Sequence, residues 1–348
     1  MVKNAAILRI GLLLVFLTFV GTANADIQTP PPTVSEDLGK IKIGAKPSGK
    51  IAFISDGDVW IMDTDGRNRQ LVTNVDNAKG RLSFSPDNKI IAFSREGKDM
   101  NNLPSGEGGS HLLHDIFLAY IDSAATRSNW WKRLTSSLGA YRPDWSYDGS
   151  VIYYQNDVNA GFVDYIVPSH QMAKIEVEGA SSSYLRKDWQ TTVISTLMPT
   201  VSADGKKIAF VLRYSKDPTK YNFKKHGIKI VDMANIALPV EELKKPSPGL
   251  ENGYAPSWSP NGQWLAYVVN DIRNPGIYII KVDLSEKRLV FAPTVTQQPN
   301  AHPVGWSPDS KWLVFTAADG VIYTIDINGD NLTPLTGPGK HNNPTWSK

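Results

Sequence analysis

Five times the chain repeats a variant of Ser-Pro-Asp-Gly-Lys-apolar-Ala-Phe, and its last residues begin a sixth copy that only a segment near its other end completes. The full copies are FSPDNKIIAF (84–93), WSYDGSVIYY (145–154), VSADGKKIAF (201–210), WSPNGQWLAY (258–267) and WSPDSKWLVF (306–315). Thr345, Trp346, Ser347 and Lys348 begin the sixth, and Gly49-Lys50-Ile51-Ala52-Phe53 completes it. A repeat split in this way predicts a ring closed by its own termini.

The serines Ser85, Ser146, Ser202, Ser259, Ser307 and Ser347 measure the repeat. The shortest interval, Ser307 to Ser347, is about 40 residues, the size of one four-stranded propeller blade. Within a unit, the segment ending in Trp/Phe-Ser reads as a first strand, Pro-Asp-Gly-Lys as a tight turn and the Ile-Ala-Phe run as a second strand. Third strands follow, as in Val59-Trp60-Ile61-Met62-Asp63 and Ile322-Tyr323-Thr324-Ile325-Asp326, then weak fourth strands at 69–73 and 332–336. Second strands such as Leu313-Val314-Phe315 are apolar on both faces, which suits sheets stacked radially with each face covered by a neighbour. The expected fold is all-β: a six-bladed β-propeller of four-stranded blades, in which one C-terminal strand joins three N-terminal strands.

Residues 1–25 carry Lys3 and Arg9, then an apolar run from Ile10 to Val20, then Ala23-Asn24-Ala25. This pattern predicts a secretory signal peptide cut after Ala25, hence a periplasmic or secreted protein without a transmembrane anchor. Residues 26–46, with Pro30-Pro31-Pro32, read as an extended tether, and 47–348 as the propeller. The chain has no cysteine and a formal net charge of +3. With the two leader cations removed it is close to neutral, so general nucleic-acid binding is not expected. At 41% hydrophobic residues it can build a core without disulfides.

The repeated W-S-P-D-G-K-x-I-A-F followed by I-Y-x-x-D-x-x-G resembles the six-bladed propeller of the TolB family of Gram-negative cell envelopes. The resemblance covers residues 47–348. It implies a non-catalytic, cofactor-free scaffold, a monomer, that docks an envelope protein, such as a peptidoglycan-associated lipoprotein, over the channel mouth. The α/β domain that precedes the propeller in that family has no counterpart in residues 26–46. Similar repeats occur in peptidase propellers, but no Gly-x-Ser-x-Gly nucleophile elbow is present.

Loops joining strands two to three, and strand four to the next blade, share one face. That face takes the long insertions at about 95–114, 156–170 and 214–226, and loops longer than connection requires are the expected carriers of function. All six histidines fall there. His111, His114, His170 and His302 therefore define an alternative, a metal-dependent or glycan-binding propeller resembling polysaccharide lyases, although no third ligand is fixed by spacing. Positions just before the first strands, Arg81, Tyr141, Arg142, Tyr254, His302 and Asn342, are expected to ring the channel mouth as a binding surface, or Tyr141 and Tyr254 to plug it. Tyr221 and Phe223 in the basic loop KDPTKYNFKKH (216–226) are candidates for an anionic partner. Asp63, Asp122, Asp232, Asp283 and Asp326, which close third strands, read as turn-bracing residues rather than calcium ligands.

Overall fold

The computed structural model describes residues 40–97, 113–121, 131–157, 170–185, 194–214, 225–236, 245–271, 273–294 and 302–348. Insertion residues Tyr221, Phe223 and His111, and also Asp122, lie outside them. Six antiparallel sheets account for 23 strands. Blade one joins β1 (Lys50–Ser55), β2 (Asp58–Asp63) and β3 (Gln70–Leu71) to the last strand, β23 (His341–Trp346), which pairs with β1. Blade two is β4 (Ala78–Phe84), β5 (Ile90–Gly97), β6 (Leu113–Tyr120) and β7 (Trp131–Arg133). Blade three is β8 (Ala140–Trp145), β9 (Val151–Asp157), β10 (His170–Glu176) and β11 (Ser182–Tyr184). Blade four is β12 (Ile194–Val201), β13 (Lys207–Tyr214) and β14 (Lys225–Asp232). Blade five is β15 (Gly253–Trp258), β16 (Trp264–Val269), β17 (Gly276–Lys281) and β18 (Lys287–Phe291). Blade six is β19 (Gly305–Trp306), β20 (Trp312–Thr316), β21 (Ile322–Asp326) and β22 (Thr333–Pro334).

First strands touch in the cycle β23, β4, β8, β12, β15, β19 and back to β23, so the ring is closed around a central channel. Split-repeat closure is what the sequence predicts. Four strands per blade hold for five blades; blade four shows three among the described residues. There Ser247 fastens to the third strand: its N–H donates to the Ile228 carbonyl and its hydroxyl accepts from the Ile230 N–H. In blades one, two and six a threonine does the same work, since Thr73, Thr135 and Thr336 accept the N–H of Val59, Ile116 and Ile322.

The repeated Ser-x-Asp explains why the motif recurs. Each serine hydroxyl donates to the side chain two residues on, Asp87, Asp148, Asp204 or Asp309, at 2.6 Å, and Ser259 donates to Asn261 at 2.7 Å. Each also accepts the N–H of the first or second residue of the next strand, as Ser307 does from Trp312 at 2.9 Å. The hydroxyl thus fastens the turn at both ends, which is why serine recurs at a buried site where alanine would leave an amide unbonded. Hydrogen bonds from Ser85, Ser146 and Ser202, with turn amides behind them, hold Asp87, Asp148 and Asp204 below the usual carboxylate range.

Tryptophans of the motif stitch blade to blade. The Trp258 indole donates to the Thr200 carbonyl at 3.1 Å and that of Trp306 to Ser257 at 2.9 Å, each reaching the first strand of the preceding blade. Alanines Ala52, Ala92, Ala209 and Ala266 in the second strands are fully buried, so the sheets approach closely there. Of the aspartates, Asp326 and Asp283 accept turn amides as expected. Asp63 and Asp232 instead pair with Lys50 and Lys207, the lysines of their own repeats. Residues ahead of β1 also contact the ring: Ile41 exchanges two hydrogen bonds with the Asn328 side chain, and Lys46 reaches Thr324. The described residues belong to one compact unit, Gly39–Lys348, and no helix among them is long and apolar enough to cross a membrane.

Candidate functional site

First strands carry an irregularity that shapes the channel. Register slips within β4, β8, β12 and β15 and opposite β23, and at each slip one residue adopts a left-handed backbone: Gly80, Arg142, Met198, Ala255 and Asn343, with φ between 51° and 72°. Such bulges re-aim side chains, and residues with a Cβ tolerate them only where the surroundings enforce the geometry. Because the strands start earlier than the sequence suggests, Arg81, Tyr141, Arg142, Tyr254 and Asn342 lie inside first strands, at or beside the bulges, and only His302 precedes its strand.

Arg81 closes the channel. Its guanidinium pairs with Asp144 of blade three at 3.1 Å and reaches, at 3.5 Å, the Pro256 carbonyl of blade five, diametrically opposite its own blade. Asp144 is buried and also accepts the Val201 N–H. On the side of the short motif turns lies a cavity of about 100 Å³, walled by Phe84, Trp145, Trp258, Trp306 and Trp346 with Lys348 at its rim. Lys348 is exposed as a residue, yet its ammonium, 5.9 Å from the Tyr147 ring, is lowered from its ordinary pKa by desolvation. Arg81 thus makes a contact that crosses the channel from blade two to blade five.

On the other side of Arg81, facing the insertions, the mouth is aromatic and basic. Tyr141 lies against Gly80 of the preceding blade, where any Cβ would strike its ring. His114 packs on Tyr141 with ring centres 4.5 Å apart, and Arg142 lies over the same ring at 4.8 Å. Across blades four and five, His226 packs on Tyr254 at 4.1 Å and Arg213 sits 5.8 Å from it. Arg142 donates to the Gln155 amide oxygen at 3.4 Å. Burial pushes the His170 and His302 imidazoles down to about 4, helped in both cases by the Arg142 charge, while Asp157 partly restores His170. Burial likewise lowers His226.

The structure therefore gathers Tyr141, Arg142, Tyr254 and His302 with His114, His170 and Arg213. Arg81 it places beneath them, and Asn342 in blade one, where it accepts from Asn343. Sequence reasoning missed Arg213 and Asp144; both sit in second- or first-strand positions that repeat comparison treats as framework. His170 stands 3.4 Å from the Ser195 hydroxyl and 3.9 Å from Asp157. That row has the residue types of a nucleophile relay, but Ser195 is 2% exposed and neither contact is a close hydrogen bond. No three His, Asp or Glu side chains among the described residues are grouped to hold a metal ion.

Solved structures with this architecture include TolB from Acinetobacter baumannii, with a TM-score of 0.61 at 17% identity over 86% of this chain and 66% of that one. A putative TolB from Agrobacterium tumefaciens matches with a TM-score of 0.54 at 15% identity over 85% of this chain and 92% of that one. A chain of a nidogen/laminin complex matches with a TM-score of 0.56 at 9% identity, over 86% and 98%. At these identities the likeness is one of fold: the chain has the TolB-like six-bladed propeller, and it spans about two thirds of the Acinetobacter structure. No protein-family model and no curated protein matches the sequence.

Proposed function

We propose that this propeller is a non-catalytic scaffold of the cell envelope that docks a protein partner on its insertion-bearing face. Export by the leader ending at Ala25 would place it in the periplasm, where an envelope protein such as a peptidoglycan-associated lipoprotein is the partner suggested by TolB-like architecture. The observation that carries this reading is the inequality of the two faces. Five turns on one face are each fastened by a serine hydroxyl within a few residues. On the other, long segments, 98–112, 158–169 and 215–224, separate the second and third strands of three successive blades, and the described residues at that end form a mouth of tyrosine, histidine and arginine, of which tyrosine and arginine anchor protein interfaces.

The test immobilises the exported chain and challenges it with periplasmic extract. Capture of one envelope protein, weakened at least tenfold by Tyr141→Ala with Tyr254→Ala and unaffected by Tyr147→Ala on the opposite face, is the expected result. Capture that depends on Tyr147 and ignores the two mouth tyrosines would overturn the assignment of the face.

A further inference from the structure

The mouth holds two guanidinium groups whose charge no described residue answers. Arg81, Arg133 and Arg288 each close on a carboxylate, Asp144, Asp115 and Glu286. Arg142 meets the Gln155 amide oxygen in a long contact and the side chain of Tyr141, face and hydroxyl, and Arg213 lies by the face of Tyr254; neither closes on a carboxylate of the described residues. Arg213 is near enough to disfavour the charge of Arg142, though burial does so more. A cation withdrawn from water is expected to be paired, and here the pairing group is missing from the described residues. Beside His170, Gln171 is 3% exposed with neither its amide nitrogen nor its oxygen hydrogen-bonded, a second unmet polar demand in the same blade.

We propose that the insertion-side mouth is an anion site for a single carboxylate, presented by an acidic side chain of the docked protein and held between Arg142 and Arg213. Guanidinium groups match a carboxylate in two-pronged geometry, and Tyr141 and Tyr254 flank them as apolar walls. Depth also favours a side chain over a threaded segment. Arg142 is two residues from Asp144 on β8, a rise of roughly 6–7 Å, and the Arg81 pair at Asp144 is the floor. The inference deepens the docking reading and rests on it for the source of the carboxylate.

Calorimetry on the exported chain at low salt tests it with four probes: N-acetylglutamate methylamide, its glutamine counterpart, inorganic phosphate and glucuronate. The glutamate derivative is expected to bind most tightly, with at least a tenfold advantage over glutamine, and Arg142→Gln and Arg213→Gln should each cut its affinity at least tenfold. Arg213→Gln serves if Arg142→Gln does not fold, and an unchanged melting temperature in either separates a lost site from a lost fold. Phosphate or glucuronate binding as tightly as the glutamate derivative overturns the acidic side chain as source. Undiminished glutamate binding in both variants, or none in the wild type, overturns the site itself. If the double variant still captures the envelope protein, docking stands and the carboxylate proposal fails; if glutamate binds but no protein is captured, the site stands and docking fails.

Discussion

Two arginines of first strands differ in what answers them: Arg81 reaches across the channel to the opposite blade, and Arg142 contacts residues of its own blade. Arg81 is held by Asp144 and a carbonyl from the opposite blade, and the cavity beyond it is walled by motif tryptophans, of which Trp258 and Trp306 hydrogen-bond to the preceding blade. Arg142 has an amide oxygen and the side chain of Tyr141, and its charge adds to the burial that lowers His170 and His302. Both side chains are largely removed from water, so the difference is not one of burial. The guanidinium toward the motif turns is answered by a carboxylate of the fold, whereas the one at the other end meets no carboxylate among the described residues, the mark of a surface shaped for something else.

Breaking the satisfied end should have the largest effect. Asp144→Asn strands a buried guanidinium, and unfolding in urea should show a loss of about 3–5 kcal/mol; replacing Arg81 and Asp144 together by apolar residues of similar volume should recover most of it. Acidification sharpens the other end. His170 and His302 sit near 4 in the folded chain against an ordinary value of 6.5, so the unfolded chain binds more protons between those limits. Their contribution is fully present above pH 6.5 and is lost as pH falls toward 4, about 2 kcal/mol for each by pH 5. His302→Asn should flatten that part of a stability profile taken from pH 7 to pH 5. Removing one turn fastener is smaller again: Ser307→Ala leaves the Trp312 amide without its partner and should cost about 1–2 kcal/mol in the same assay.

Architecture was legible because the motif encodes its own geometry. Ser-x-Asp specifies a fastened turn, the apolar run after it specifies a strand covered on both faces, and the split sixth copy specifies closure. In blade four Ser247 stands where a threonine follows the fourth strand elsewhere, and a single serine leaves no periodic trace. The site was half legible. Tyr141, Arg142, Tyr254 and His302 could be picked out as polar or aromatic residues near first strands, but their positions within those strands depend on bulges at Arg142 and Ala255, whose left-handed backbone nothing in their side chains announces. Arg81 reads the same as Arg142 in sequence. Only Asp144, sixty-odd residues away, tells the plug from the site, and that pairing is tertiary.

The most direct measurement sets Arg81→Gln beside Arg142→Gln and compares their unfolding free energies at pH 7 with no ligand present. The account predicts that Arg81→Gln loses at least about 2 kcal/mol, since Asp144 is left buried and unpaired, while Arg142→Gln is neutral or stabilised because an unanswered charge has been removed. Equal losses in the two variants would contradict it, for both ends of the channel would then be serving the fold.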